Sequence, residues 1–222
     1  MLGRTQVDVK VDFYSGKIKF MKSTPYHHGA LRDALLAAAE TVLRRDGLPG
    51  MTLRAAAREA GVSHAAPTHH FGDLTGLLTA LAADGFRRFG EALRAAVTAP
   101  DARRWDGARA YIAFAVANPA LFQLMFRTDR LDDANESLRA ARLHALQHIA
   151  AARHMPATDL SVAQLGEVLG GWALVHGYTL LLLDGRLAGL PRLAPEGTTA
   201  DALLDAMFAA ADAGRAGPRR HD

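Results

Sequence analysis

Apolar side chains recur at spacings of three and four from residue 29 to residue 214, and this periodicity is the strongest constraint on the fold. Such spacing brings side chains to one face of an α-helix, whereas a strand requires alternation. Outside residues 1–20 we find no convincing alternating run and no internal repeat. Capping residues, glycines and prolines divide the pattern into predicted helices at 29–46, 52–60, 64–70, a long helix following Asp73, and 101–117, 119–127, 131–154, 160–184 and 199–214. We therefore predict an all-α protein.

The composition excludes several classes of protein. With 222 residues, half of them apolar and 22% charged, the chain is long enough for one or two domains with a real core. The absence of cysteine rules out disulfide scaffolds, thiolate zinc sites and cysteine nucleophiles. No uninterrupted apolar run approaches the roughly 18 residues of a membrane span, and no signal peptide pattern opens the chain. A soluble, cytoplasmic protein with no membrane association is expected.

Residues 1–20 differ in composition from the rest of the chain. All four lysines precede residue 23 and the first alanine is Ala30, while acidic and basic residues balance beyond residue 22. We interpret residues 1–20 as an atypical extension, an upstream translation artefact or fusion remnant, with Met21 as the native start. The alternative is a genuine hairpin, because Val7, Val9 and Val11 alternate before a Ser-Gly pair.

Two short predicted helices joined by Gly61-Val62-Ser63 carry the most specific pattern. Gly61 suits a turn with positive φ, Val62 is expected to fill the junction, and Ser63 is expected to cap the second helix. Together with the helix at 29–46 they can form a three-helix unit whose last helix projects outward, as in a helix-turn-helix motif. The exposed face of that last helix is predicted to carry His64, Ala65, Thr68 and His69.

These residues resemble the TetR family of transcriptional regulators. The resemblance rests on Ala56-Ala57, Ala60-Gly61-Val62-Ser63, His69-His70-Phe71 and Leu77-Leu78, and on a Trp172-Ala-Leu-Val-His176-Gly177 segment similar to a signature of one branch of the family. It implies an N-terminal helix-turn-helix domain at 21–72, an antiparallel helical ligand-binding and dimerisation domain at 73–214, and a tail at 215–222.

The chain departs from the family pattern at two positions. Thr68 stands where the family usually has an aromatic residue, and Leu74 where it often has lysine; both family residues hold DNA phosphates. Hydroxyls, helix N-termini and basic side chains are also phosphate ligands and can compensate. The predicted DNA-binding residues are therefore Thr52, Arg54, Ser63, His64, Ala65, Thr68, His69 and His70.

The charge of this region is modest. Residues 21–71 carry six basic and four acidic side chains, together with five of the ten histidines, which gain charge near an anionic backbone. A metal site is not expected, because His64, His69 and His70 lack the i, i+4 spacing that puts two ligands on one helix face.

The second half of the chain supplies a candidate effector site. Ligand cavities are mostly apolar with a few placed polar groups, and seven residues fit that description. They are Tyr111, Phe114, Phe122, Met125, Phe126, Trp172 and His176. The alternative is ordinary core packing around a buried histidine that bonds to a neighbour.

The two last predicted helices suit a dimer interface. The helix at 160–184 is apolar on nearly all sides and must be buried all round, and the helix at 199–214 carries a stripe of small residues. The resemblance implies that both pair across a two-fold axis as a four-helix bundle. The predicted contacts include Leu165, Leu169, Leu203 and Met207. An internal helix of a monomer is the alternative.

We therefore predict a homodimeric, DNA-binding repressor that binds a pseudo-palindromic operator and is released by a small apolar or weakly polar effector, with no cofactor. One alternative is a helix-turn-helix-derived ligand sensor that has lost DNA binding, motivated by Thr68 and Leu74. The other is a small α-helical enzyme using His176 and an acid. Glu167, nine residues earlier, falls on roughly the opposite helix face, so we do not expect an enzyme.

Overall fold

The computed structural model describes residues 28–153, 155–156 and 158–215, and within them all regular structure is helical. The prediction of an all-α protein is thus confirmed. The predicted extension at residues 1–20 and most of the predicted tail lie outside the described residues. The helices are α1 (His28–Gly50), α2 (Leu53–Glu59), α3 (Ala65–Phe71), α4 (Leu74–Thr98), α5 (Asp106–Ala117), α6 (Pro119–Met125), α7 (Glu136–Ala151), α8 (Val162–Leu183) and α9 (Ala200–Arg215).

Local chemistry explains most helix starts. Asp73 caps α4, as predicted, by accepting a hydrogen bond from the Gly76 amide at 2.8 Å. Ser161 and Gln164 form a reciprocal capping box at the start of α8. The predicted cap at Ser63 was wrong: α3 begins after His64, whose backbone is already helical, and no side chain caps it.

Two helix starts and one predicted loop differ from the sequence prediction. Helix α5 begins at Asp106 rather than 101, because the Asp106 carboxylate accepts from the Arg103 amide and closes a turn ahead of the helix. Helix α7 begins only after Asn135, whose side chain accepts from the Leu138 amide. The predicted separator at 185–198 contains a 3-10 helix, Arg186–Leu193.

Helix α4 lies at the centre of the molecule and contacts α1, α3, α5, α6 and α7. Its predicted apolar stripe is buried from Leu77 to Leu93, including both phenylalanines, Phe86 and Phe89. Close approach of α6 depends on Gly85, since a Cβ there would lie 2.9 Å from Met125 Sδ. The core is thus continuous from the first helices to the last.

An ion pair joins the first three helices to this central helix. Arg88 of α4 donates to both carboxylate oxygens of Glu40 on α1, each at 3.0 Å, and also lies beside Asp84. Arginine and carboxylate form such paired contacts with defined geometry. The contact therefore restricts how the α1–α3 unit is oriented on α4.

Helix α8 is not buried all round in the single chain. It packs through Val168, Gly171, Val175 and Thr179, while Leu165 and Leu169 are 50% and 59% exposed. By length and composition alone this helix could cross a membrane, and only 22% of its most apolar 18-residue window is buried. Helix α8 packs on α5 and α7, and its opposite side leaves these leucines exposed.

Removing the cap of α4 tests the link between α3 and α4. We expect Asp73→Ala to lower the free energy of unfolding by about 1 kcal/mol, because the Gly76 amide loses its acceptor. Asp73→Asn keeps an acceptor in place and is expected to change it by only a few tenths of a kcal/mol. Urea denaturation at fixed protein concentration measures both; equal losses in the two variants would contradict the capping role.

Candidate nucleic-acid interface and effector cavities

Helices α2 and α3 form a compact pair held against α1. Thr52 caps α2 by accepting from the Ala55 amide at 3.0 Å, and Ala56 and Ala57 are buried beneath it. Gly61 turns the chain with φ of 67°, as predicted, and the Val62 amide donates to the Ala57 carbonyl. Pro67, on the inner side of α3, is buried, so α3 has one face against the protein and one in solvent.

The outer face of α3 carries the residues predicted for it. His64, Ala65, Thr68 and His69 are all exposed, as are Thr52, Arg54 and Ser63 at the start of α2 and in the turn. His70 is half-buried, with its ring edge-on to the His69 ring at a centroid distance of 5.3 Å. Seven of the eight predicted residues are therefore exposed.

Pairing within the protein reduces the positive charge of this region. Arg45 of α1 binds Asp46 and, at 2.9 Å, Glu59 of α2. These carboxylates raise the pKa of Arg45, and the guanidinium in turn lowers the pKa of Asp46. Arg45 therefore connects α1 to α2, a role that a count of charges in the sequence does not reveal.

The two departures from the family pattern have different environments. Thr68 lies on the exposed face of α3, whereas Leu74, at the first position of α4, is half-buried and packs against the hydrophobic core. A side chain packed in this way stabilises the junction of α3 and α4. Leu74 therefore contributes to packing at the edge of the core.

Two cavities lie between α4 and α8, and Trp172 lines both. The first, of about 80 Å³, is bounded by α5, α7 and α8; the second, of about 160 Å³, by α4, α6 and α7. Trp172 and Ile149 line both. The walls are aromatic or aliphatic, apart from arginines and one threonine.

The predicted effector residues are distributed between these cavities and the wall behind them. Tyr111 and Trp172 line the first cavity, and Met125, Phe126 and Trp172 line the second. Phe122 is fully buried, with its ring 5.0 Å from Phe126 and 5.8 Å from His176, and Phe114 packs on Phe89. The seven residues thus belong to one largely aromatic cluster. Some of their side chains line a cavity, and others pack in the core behind it.

Tyr111, His176 and Trp172 form a hydrogen-bonded network in this cluster. Trp172 Nε1 donates to Tyr111 Oη at 3.3 Å, and Tyr111 Oη lies 2.7 Å from His176 Nδ1. The hydroxyl hydrogen is thus free to donate to Nδ1, which is consistent with a neutral, Nε2-protonated histidine. Burial raises the pKa of Tyr111 and lowers the pKa of His176. Both shifts favour the uncharged form of the side chain, and burial is the cause of the lowered pKa of His176.

Sequence reasoning missed the contribution of α7 and of the loop before α5. Ile149, Arg142 and Arg153 come from α7 and its end, and Trp105 and Arg104 precede α5. Trp105 is stacked on Phe208 of α9 at 4.3 Å and donates to Asp212. The available signal was the pair of tryptophans, since the chain has only two and both line the first cavity.

The outer surface of α8 carries exposed leucines and open glycines. Added Cβ atoms at Gly166, Gly170 and Gly177 would meet nothing, so this side of α8 is open. On α9 the buried residues are Leu204 and Phe208, whereas the predicted contacts Leu203 and Met207 are half-buried at the edge of that face.

Comparisons with known proteins agree with this geometry. Residues 35–81 match the family model of the bacterial regulatory proteins of the tetR family, and residues 106–211 match that of the tetracyclin repressor-like C-terminal domain. The chain belongs to the TetR family. It is therefore a transcription regulator with a helix-turn-helix DNA-binding domain, of a family that also responds to ligands.

Solved structures of TetR fold extend the match over most of the chain. A protein of unknown function from Rhodococcus sp. RHA1 is 36% identical, with a TM-score of 0.63 over 86% of this chain and 96% of that one. A protein assigned as a TetR family transcription regulator from Shewanella sp. PV-4 is 24% identical, with a TM-score of 0.54 over 70% and 87%. A search of curated proteins finds no match.

The neutral His176 predicts a pH dependence of stability. Because burial lowers its pKa, the unfolded chain binds a proton more readily, at about pH 6.5, than the folded chain. The free energy of unfolding is therefore expected to be highest above about pH 7 and to fall as the pH decreases toward 5. His148, whose pKa is lowered by burial and by the neighbouring His144 and Arg94, acts in the same direction.

The variant His176→Gln retains an acceptor for Tyr111 but cannot take up the proton. Denaturation at pH 7.5 and 5.5, at one ionic strength and one protein concentration, should show a smaller pH-dependent loss than in the wild type. An identical loss in both proteins would contradict a buried neutral His176.

Proposed function

We propose that the protein is a homodimeric repressor that binds a pseudo-palindromic operator in the cytoplasm and leaves it when a small effector binds between α4 and α8. The observation that carries this proposal is the exposed face of α3, where His64, Ala65, Thr68 and His69 stand above the buried Pro67. A helix supported in this way can enter a major groove as a rigid element.

The side chains of this face suit direct readout of bases. Imidazole nitrogens can donate to or accept from purine edges, and the methyl groups of Ala65 and Thr68 can contact the methyl group of thymine. Around them, Thr52, Arg54, Ser63 and His70 are placed to contact phosphates, which position the protein without reading sequence. Two copies related by a two-fold axis then require half-sites about 34–36 Å apart.

A dimer through α8 and α9 is supported by the exposed apolar surface there. Leu165 and Leu169 are spaced by four residues on one side of α8, and the neighbouring glycines permit close helix approach. Exposed alanines of α9, Ala202 and Ala206, offer an equally smooth surface. Association would remove these side chains from water, which the single chain does not achieve.

The route from effector to DNA runs through α4 and α6. Phe86 and Phe89 on α4 and Met125 on α6 line the second cavity, while α6 also packs on α1 and α4 continues directly from α3. An effector that separates these walls would change the angle at which the two α3 helices are held. It shifts the population only by its differential affinity for the two arrangements.

Selection of bound duplexes from a random DNA pool, at two salt concentrations, tests the proposal. A two-fold-symmetric consensus is expected. A second candidate, a ligand sensor without DNA binding, is favoured by one observation: Leu74 is half-buried and packs against the core, so the position where the family often has lysine offers no charge to a phosphate. Weak binding without a consensus, lost as salt rises, would establish that candidate instead.

Substitutions on α3 should change sequence preference. With His64→Ala or Thr68→Ala we expect discrimination at one base pair of each half-site to fall by roughly 1–3 kcal/mol. Competition binding against single-base variants of the selected site measures this. His144→Ala on α7 is the matched control and should leave the preference unchanged. Equal weakening on all sequences would show that the altered residue contacts phosphate.

Charge placed on the outer face of α8 should separate the protomers. The double variant Leu165→Glu, Leu169→Glu is expected to be monomeric, and its operator affinity to fall by roughly 10²-fold or more as avidity is lost. Leu143→Glu on α7, at a leucine 57% exposed, is a matched control that should remain dimeric. Sedimentation velocity decides; a tight dimer of the double variant would refute this interface.

A further inference from the structure

Two histidines of α7 face each other on one side of the helix. His144 and His148 are four residues apart, so their side chains project from successive turns on the same face. His144 is exposed and His148 is half-buried, and their rings stand edge-on with centroids 4.5 Å apart. Neither side chain lines the cavities between α4 and α8. The pair thus has the i, i+4 spacing that the histidines of α3 lack.

The separation of two ring nitrogens in this pair matches a metal chelate. His144 Nε2 and His148 Nε2 lie 3.2 Å apart. Two zinc–nitrogen bonds of about 2.0–2.1 Å at a tetrahedral angle place their nitrogen atoms about 3.3–3.4 Å apart. An ion can therefore bind both rings after only small rotations of the side chains. Little rotamer freedom is lost on binding, so the pair is preorganised for chelation.

Packing against α4 holds both rings in this position. A Cβ atom added at Gly90 of α4 would lie 3.1 Å from His144 Nδ1 and 3.7 Å from His148 Cδ2, so both rings rest on the backbone of this glycine. A larger residue at position 90 would push against the His144 ring. The rings are thus confined by α4 on one side, while the exposed His144 leaves the other side open to an ion from solvent.

The surroundings favour the form of histidine that binds metal. Burial, and then the neighbouring His144 and Arg94, lower the pKa of His148, so its imidazole is neutral at neutral pH. Metal ligation requires this neutral form. Arg94 also repels a cation, but it is exposed, so water and salt screen that repulsion. Among the described residues no group of three histidines or carboxylates could hold a metal, so water completes the coordination shell.

We propose that His144 and His148 bind a divalent transition-metal ion of the zinc class through their Nε2 atoms. The ion links two turns of α7 at the point where this helix packs on Gly90 of α4. Imidazole ligands select ions of this class, whereas Mg²⁺ and Ca²⁺ take oxygen ligands. The site is therefore specific for the kind of ion, and its open positions remain accessible to water.

Titration of the full-length, chelator-treated protein with ZnCl₂ at pH 7.5 tests the proposal. We expect calorimetry to show saturable binding of Zn²⁺ at this site. We also expect the midpoint of urea unfolding to rise with Zn²⁺ concentration, because an ion that binds only the folded chain stabilises it. MgCl₂ at the same concentrations should have neither effect. The titrations contain no DNA and no effector, so their outcome is independent of the proposed repressor function.

Replacing either histidine should remove the chelate. His144→Gln and His148→Gln are each expected to weaken Zn²⁺ binding by at least the roughly 10–100-fold that loss of an outer-shell partner alone costs. Gln147→Ala, in the same turn of α7 but without an imidazole, is the matched control and should bind Zn²⁺ as the wild type does. Urea unfolding in EDTA checks that each variant is folded. If the half-buried His148 is needed for folding, the exposed His144 still provides the test.

A hydrogen bond between the two rings, without metal binding, is the alternative use of the same nitrogens. The proposal is overturned if Zn²⁺ shows no saturable binding, if the wild type and His144→Gln bind Zn²⁺ equally, or if Mg²⁺ binds as tightly as Zn²⁺. Nitrogen-15 spectra add a direct readout: both Nε2 resonances should shift with Zn²⁺, since coordination leaves each ring proton on Nδ1. Shifts confined to other histidines would also overturn it.

Discussion

Burial of α4 is the constraint on which the rest of the structure depends. Its apolar residues from Leu77 to Leu93 contact helices on several sides, and its two phenylalanines lie in the same cluster as Tyr111 and Phe122. Burial of this kind contributes roughly 1.5–3 kcal/mol for each large side chain. The α1–α3 unit and the cavities therefore share one core, and a change of packing at one end has to be accommodated at the other.

The polar contacts of this core set orientation more than stability. Glu40 and Arg88 fix the α1–α3 unit on α4, and the Tyr111–His176–Trp172 network fixes α5 against α8. Both lie in partly buried surroundings, where loss of one partner leaves the other without its bond. Trp172, which lines both cavities, therefore also holds α5 in place through Tyr111.

Helix α8 leaves part of its apolar surface exposed in the single chain. A helix with Leu165 and Leu169 half or more exposed, beside Gly166 and Gly170, buries too little of its apolar surface in one chain. The 3-10 segment Arg186–Leu193 contacts α8 but does not cover these leucines. Helix α9 is held mainly by the stacking of Phe208 on Trp105. Membership of the TetR family accounts for the helix order, while the identity of the surface that meets DNA, effector or partner depends on individual side chains.

The sequence by itself determined the helical class, the α4 stripe, the turn at Gly61, the cap at Asp73 and the exposed face of α3, because these follow from spacing and local backbone chemistry within a few residues. It misplaced the start of α7 by five residues and the cap of α3 by one, because these positions depend on individual bonds such as that of Asn135. Only the tertiary structure decided that Arg45 is paired, that Leu74 packs against the core, and that Trp172 lines two cavities. These contacts join residues far apart in the chain, and no periodicity in the sequence encodes such distances.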